Sequence, residues 1–134
     1  GTDGLDDPSL IPVSGAGSGL VTFITHGFPT EGSDLKAFYE DCTKRGFNVQ
    51  NIFFGLGGEA VDVVKTAVEA AGSFDPPAIN AAIREIEGMK GVVSDSITYK
   101  DQNGTPLKQM VALQIKDGAF VVVAKPTPGW VAAP

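Results

Sequence analysis

At 134 residues the chain matches about one domain by the usual size relation, and 16 acidic against 10 basic residues leave it a net charge of −6. That sign argues against a phosphate-binding surface, so neither nucleic acid nor an anionic membrane is expected as a partner. One cysteine rules out an internal disulfide, and the sequence shows neither a run of about 18 apolar residues nor a signal peptide.

In chain order, Gly1-Thr2-Asp3-Gly4 is turn material, as though a strand had just ended before it. Asp7 as N-cap and Pro8 in the first helical position predict a short helix from Asp7 to Val13, ended by Gly15, Gly17 and Gly19. The glycine run precedes a strand and opens no helix, so it reads as a helix-to-strand turn and not as a phosphate cradle. Leu20 to Thr25 is uncharged, rich in Val, Phe, Ile and Thr, and bounded by Gly19 and Gly27, which predicts a strand covered on both faces. Ligands of open α/β sheets sit beyond the carboxyl ends of strands, so His26 to Phe28, and equally Thr2 and Asp3, are the first positions to consider. His26 has no Cys, Asp or Glu at a recognisable spacing, and a metal site or nucleophile–base pair needs such convergent groups.

Ser33 is an N-cap signal for a helix from Ser33 to Arg45, with Leu35, Phe38, Tyr39 and Cys42 on one apolar stripe and Gly46 as the C-cap. On that stripe Cys42 is a buried small hydrophobe and not a reactive thiol. Gly55, Gly57 and Gly58 lead into a helix expected from about Glu59 to Ala71, with Glu59 at its N-terminus. Its buried stripe is Val61, Val64, Val68 and Ala71, with Ala60 and Ala67 alongside. Asp75-Pro76 starts a third helix that presents Ile79, Ile83 and Ile86 and ends at Gly88. Ile97 to Lys100 is a short strand and Asp101 to Gly104 a turn that lacks the further acidic ligands of a calcium loop. Met110 to Ile115 and Phe120 to Ala124 pair as a hairpin through Lys116-Asp117-Gly118. The tail from Pro126 to Pro134 is expected to be irregular, with Trp130 docking on the surface.

Taken together, GTDGLDDPSL, a helical turn to Gly15, GLVTFIT, the Ser33 to Arg45 helix, FFGLGGEAVDVVKTAVEAAGS, DPPAINAAIREIEG, GVVSDSITYKDQNG and QMVALQIKDGAFVVVA keep a distinctive order. In that order and spacing the chain resembles the C-terminal part of the periplasmic solute-binding proteins of branched-chain amino acid (Leu/Ile/Val) ABC transporters. The resemblance covers nearly the whole chain, although no single motif is diagnostic. It implies an α/β fold, part of a two-lobed type I periplasmic-binding fold with a parallel sheet flanked by helices and a closing β-hairpin. It places residues 1–26 in the C-terminal lobe, 27–29 in a hinge crossing, 30–92 in the N-terminal lobe, 93–109 in a return crossing and 110–134 back in the C-terminal lobe.

The same resemblance makes Asp3 the acceptor of a ligand α-ammonium group, with Thr2, Gly4 and Leu5 beside it, and makes His26, Gly27 and Phe28 the hinge. Gly27 would supply backbone freedom there and Pro29 would stiffen the exit. The competing reading of Asp3 is an Asx-type turn closed by the Leu5 amide. The family usually carries an aromatic where Gly58 stands and an aspartate where Glu59 stands, which leaves open whether this region touches ligand. The implied protein is no enzyme and uses no cofactor or metal. It is periplasmic or extracytoplasmic, with a signal peptide expected upstream. Its implied partners are a small-molecule ligand (amino acid or organic acid), ABC permease subunits, and the N-terminal remainder of the protein or another copy of this chain. The alternatives are a sensory lobe of the same fold and, more remotely, a small α/β enzyme using His26 and Cys42.

Overall fold

The computed structural model describes residues 1–127; the expectation for Trp130 and most of the tail lies outside that range. The elements are α1 (Leu10–Ser14), β1 (Thr22–Thr25), α2 (Asp34–Lys44), α3 (Ile52–Ala71), α4 (Pro76–Arg84), β2 (Ile97–Thr98), β3 (Leu107–Lys108), β4 (Val111–Lys116) and β5 (Ala119–Ala124).

Local signals account for most of the boundaries. The Ser33 hydroxyl accepts from the Lys36 amide at 3.2 Å and starts α2, while Asp75 caps α4 ahead of Pro76 and Pro77. Asn51 caps α3 through the Phe53 amide at 3.2 Å, and Gly72 ends it in the left-handed region at φ +59°. α3 therefore begins at Ile52 and not at Glu59, and Gly55, Gly57 and Gly58 lie inside it. The two outer glycines of that set bring helices together. A Cβ at Gly55 would stand 2.6 Å from Leu35 Cδ1, and one at Gly58 would stand 3.0 Å from the Phe38 ring, both on α2. The face α3 buries is Ile52, Gly55, Glu59, Val63 and Ala67, whereas Val61 and Val64 of the expected stripe are exposed. α1 also starts later than expected. Asp7 accepts from the Ser9 amide at 2.8 Å in a turn that precedes the helix.

The larger sheet has the order β1-β4-β5, with Thr22 opposite Gln114, Thr25 opposite Val111, and a bulge between Ala112 and Leu113 where β4 meets β5. Asp117 and Gly118, at φ +50° and +75°, make the tight turn of the hairpin. β1 is covered on one face only: Phe23 and Thr25 are buried and Thr22 and Ile24 are exposed. This corrects the two-faced expectation, because an antiparallel strand can leave one side open whatever its composition. Every strand pairing among the described residues is antiparallel. A parallel sense survives at one residue: the Gly1 ammonium donates to the Thr22 carbonyl at 2.8 Å and the Ile24 amide donates to the Gly1 carbonyl at 3.1 Å.

Burial divides into two clusters. Phe23, Val111 and Leu113 form one, flanked by Leu10, Val21, Phe28, Phe120 and Val122, with the Phe23 and Phe120 rings edge to face at 5.4 Å. Val63, Ile86 and Ile97 form the other, flanked by Ile83, Met89 and Tyr99. Between them the chain passes through Gly27, where a Cβ would stand 2.7 Å from Val93 Cγ1 and 3.3 Å from Ile52 Cδ1. Gly27 is absent from the left-handed glycines. It gives the two segments room for close approach.

Candidate functional site

Thr2 to Leu5 begin the chain as an exposed turn, with Asp3 to Leu5 in one 3-10 turn. The Leu5 amide donates to the Thr2 carbonyl at 3.1 Å, so the Asp3 side chain is free of the Asx-type turn. It faces His26 instead. Nε2 of His26 lies 3.2 Å from Oδ2 of Asp3, and the Asp3 side chain remains 38% exposed. His26 Nδ1 is buried without a hydrogen-bond partner. An unpaired lone pair there costs less than an unpaired N–H, which favours the tautomer whose proton sits on Nε2 and points at Asp3. The partner His26 lacked in the sequence is thus 23 residues away. Cys42, its suggested catalytic companion, is buried on α2.

Three residues beyond Asp3, Asp6 is buried at 8% exposure and was not singled out from the sequence. Its Oδ2 accepts from the Thr25 hydroxyl at 2.9 Å, and the Ile52 backbone at the start of α3 favours the charged form. Burial raises its pKa above the ordinary carboxylate value, partly offset by the Thr25 hydrogen bond and the Ile52 backbone, and the charges of Asp3 and Asp7 push the same way as burial. The only signal in the sequence was arithmetic: once Asp7 serves the turn before α1, the first acid of Asp6-Asp7-Pro8 has no local task.

Asp6 opens into a groove of about 410 Å³ between the Pro8–Ile11 segment, Gly27–Pro29, Tyr39 of α2, the start of α3 and the β4–β5 hairpin. The Tyr39 hydroxyl donates to the Asn51 carbonyl at 2.8 Å, and burial raises its pKa, with the Asp6 charge adding to the effect. A smaller cavity of about 180 Å³ gathers His26, Gly27 and Phe28 with residues 90–95, Gln109 and Val111. The hinge candidates therefore meet the 90–95 segment and the start of β4 around one space. Thr2, Asp3, Gly4 and Leu5 line neither cavity.

Glu59 fixes the segment at Val93 and Ser94. From the buried face of α3 its carboxylate accepts from the Val93 amide at 3.0 Å, the Ser94 amide at 2.8 Å, the Ser94 hydroxyl at 3.1 Å and Lys108 Nζ at 3.1 Å. A Cβ on Gly91 would stand 2.5 Å from Glu59 Oε2. Glu59 is consequently a clamp in the interior of its helix, and not a charge at a helix N-terminus.

No protein-family model and no curated protein matches the chain. Solved structures do. The leucine-binding protein LivK of Thermotoga maritima MSB8 superposes with a TM-score of 0.74 at 29% identity, over 95% of this chain and 36% of that one. A protein of Rhodospirillum rubrum, described as a branched-chain amino acid ABC transporter, gives 0.73 at 18% identity over 92% of this chain and 36% of its own. The solute-binding protein of an ABC transporter from R. palustris, in complex with benzoate, gives 0.64 at 13% identity over 88% and 33%. The last two bear on fold alone. The chain has part of the α/β, type I periplasmic-binding fold, and its likeness to branched-chain amino acid solute-binding proteins holds in three dimensions. It spans about a third of the length of these proteins, consistent with the C-terminal part that the resemblance implied. Its structural neighbours are solute-binding transport proteins and not enzymes.

Proposed function

We propose that the chain is the C-terminal portion of an extracytoplasmic solute-binding protein that captures an amino acid for import through ABC permease subunits. The observation that carries this reading is the Asp3 carboxylate, half exposed on a turn and oriented through one oxygen by His26. The other oxygen is left for a ligand ammonium, and a charge-assisted hydrogen bond of that kind is stronger than a neutral one. Thr2, Gly4 and Leu5 shape the turn around it. The Thermotoga neighbour is described as a leucine-binding protein, which agrees with the reading.

In the same reading residues 1–26 and 110–134 belong to one lobe and 30–92 to the other, with 27–29 and 93–109 as crossings. Two separate apolar clusters support that division. So does the convergence of Gly27 on Val93, because a hinge needs its crossing strands side by side. Ile97 and Tyr99 pack with the helices, which draws the return crossing toward Gln109.

Calorimetric titration of leucine, isoleucine and valine into the protein expressed from its whole reading frame tests the proposal. Asp3→Ala should weaken binding by on the order of 2–3 kcal/mol, the scale of a lost hydrogen bond to a charge. Unchanged affinity in that variant would remove the ligand role of Asp3 and point to organic acids that lack an amine.

A further inference from the structure

We propose that the groove beneath Gly27–Pro29 is a binding site of its own, taking a small apolar amine whose ammonium group is anchored on Asp6. The inference stands apart from the Asp3 turn, which does not line this groove. Its volume of about 410 Å³ falls in the range of small-molecule sites, roughly 300–1,000 Å³. Ile11, Phe28, Pro29, Ile52 and Phe120 give it apolar walls, which suit an alkyl or aryl body.

The charge of the lining selects the ligand's polar end. Asp6 is the one ionisable acid among the lining residues, and no Lys, Arg or His joins it. Asp3 and Asp7 add negative potential at the same carboxyl. An organic acid entering here would meet a carboxylate with no cation to offset the repulsion, whereas an ammonium meets an acceptor already withdrawn from water. An ionised carboxylate has about four lone-pair positions. The Thr25 hydroxyl occupies one, so acceptor capacity remains. Across the groove the Tyr39 hydroxyl spends its proton on the Asn51 carbonyl, which leaves its oxygen as a second acceptor. The raised pKa of Asp6 fits a buried acid without a counter-cation, the state that a bound ammonium relieves.

The test uses four small ligands, benzylamine, benzyl alcohol, benzoate and isopentylamine, each titrated by calorimetry and by amide chemical shifts into the protein expressed from its whole reading frame. Both amines should saturate, with shifts centred on the amides of Ile52, Gly118 and Phe120. The alcohol should bind at least tenfold more weakly and benzoate should not compete. Asp6→Asn should remove the preference for amine over alcohol, and Ile11→Trp should abolish amine binding by filling the groove while Asp6 is intact. Asp3→Asn removes only a secondary contribution to the potential at Asp6, so saturable amine binding at these amides should persist with a preference over the alcohol, which separates this site from the turn proposed above. Benzoate binding on the same amides, an undiminished amine preference in Asp6→Asn, or no saturable shift with either amine would each overturn the assignment.

Discussion

Glu59→Ala removes an acceptor that serves four donors at once. Glu59 and Lys108 show side-chain exposures of only 6% and 12%, so the pair is screened little by solvent. Deleting the carboxylate leaves the Lys108 ammonium half-entombed and strands the Val93 and Ser94 amides, both of which depend on Oε2. Breaking a buried pair from one side costs about 3–5 kcal/mol, most of it the penalty of the charge left behind. That is a large part of the stability of a domain this size, typically about 5–15 kcal/mol. Urea unfolding followed by circular dichroism would read the loss, and Glu59→Gln, which keeps an acceptor for the amides, should lose less than Glu59→Ala. Hydrogen exchange adds a local reading: the Val93 and Ser94 amides should lose protection in either variant before the α3 amides do. A Glu59→Ala chain within about 1 kcal/mol of the parent would refute the clamp, because no exposed pair of this kind is worth more than that.

Gly27→Ala should cost about 1–3 kcal/mol by overpacking against Val93, and Val93→Ala in the same chain should recover part of it; additive losses in a double-mutant cycle would mean that the two crossings do not touch. Asp6→Asn should change the pH dependence of stability. Because the folded pKa lies above the ordinary value of 3.8, the contribution of Asp6 is fully present below that value and is lost as pH rises through the folded pKa. Relative to the variant, the parent should therefore lose stability across that window and run level above it, and parallel curves in pH-dependent unfolding would refute the burial argument. Val61 and Val64 lie 67% and 48% exposed on α3, an apolar face that should drive concentration-dependent self-association; Val61→Lys with Val64→Glu should suppress it in light scattering, and undiminished association in that variant would refute the role of this face.

Elements whose cause is local were legible in the sequence. The Ser33 cap, the Asp75-Pro76 start and the Asp117-Gly118 turn each need only neighbouring residues; α2 and the hairpin fall where these signals placed them, and α4 starts at its signal but ends at Arg84, short of Ile86 and Gly88. Expectations that depended on a partner surface went astray. The run from Leu20 to Thr25 is apolar enough for a strand covered twice, but composition does not say how many faces find cover. α3 was displaced for a related reason. Three glycines looked like a lead-in to a helix, yet two of them are the flat side on which Leu35 and Phe38 of α2 rest. Tertiary packing outweighs the roughly 1 kcal/mol that each glycine costs a helix interior.

The site contacts were less legible because their partners are far apart along the chain: 23 residues for Asp3 and His26, 19 for Asp6 and Thr25, and 49 for Glu59 and Lys108. Periodicity carries no information over such distances. Charge placed against periodicity does carry some. Ile52, Gly55, Glu59, Val63 and Ala67 recur every three or four residues, a complete apolar stripe but for one carboxylate. A carboxylate on a buried stripe must be paired and hydrogen-bonded, so Glu59 could have been assigned a cation and several donors before any coordinates existed. Which cation depends on the chain reversing twice between α3 and β3 to bring Lys108 beneath the helix. That information resides in the packing of Ile86 and Ile97 on Val63, and not in the sequence around either charge.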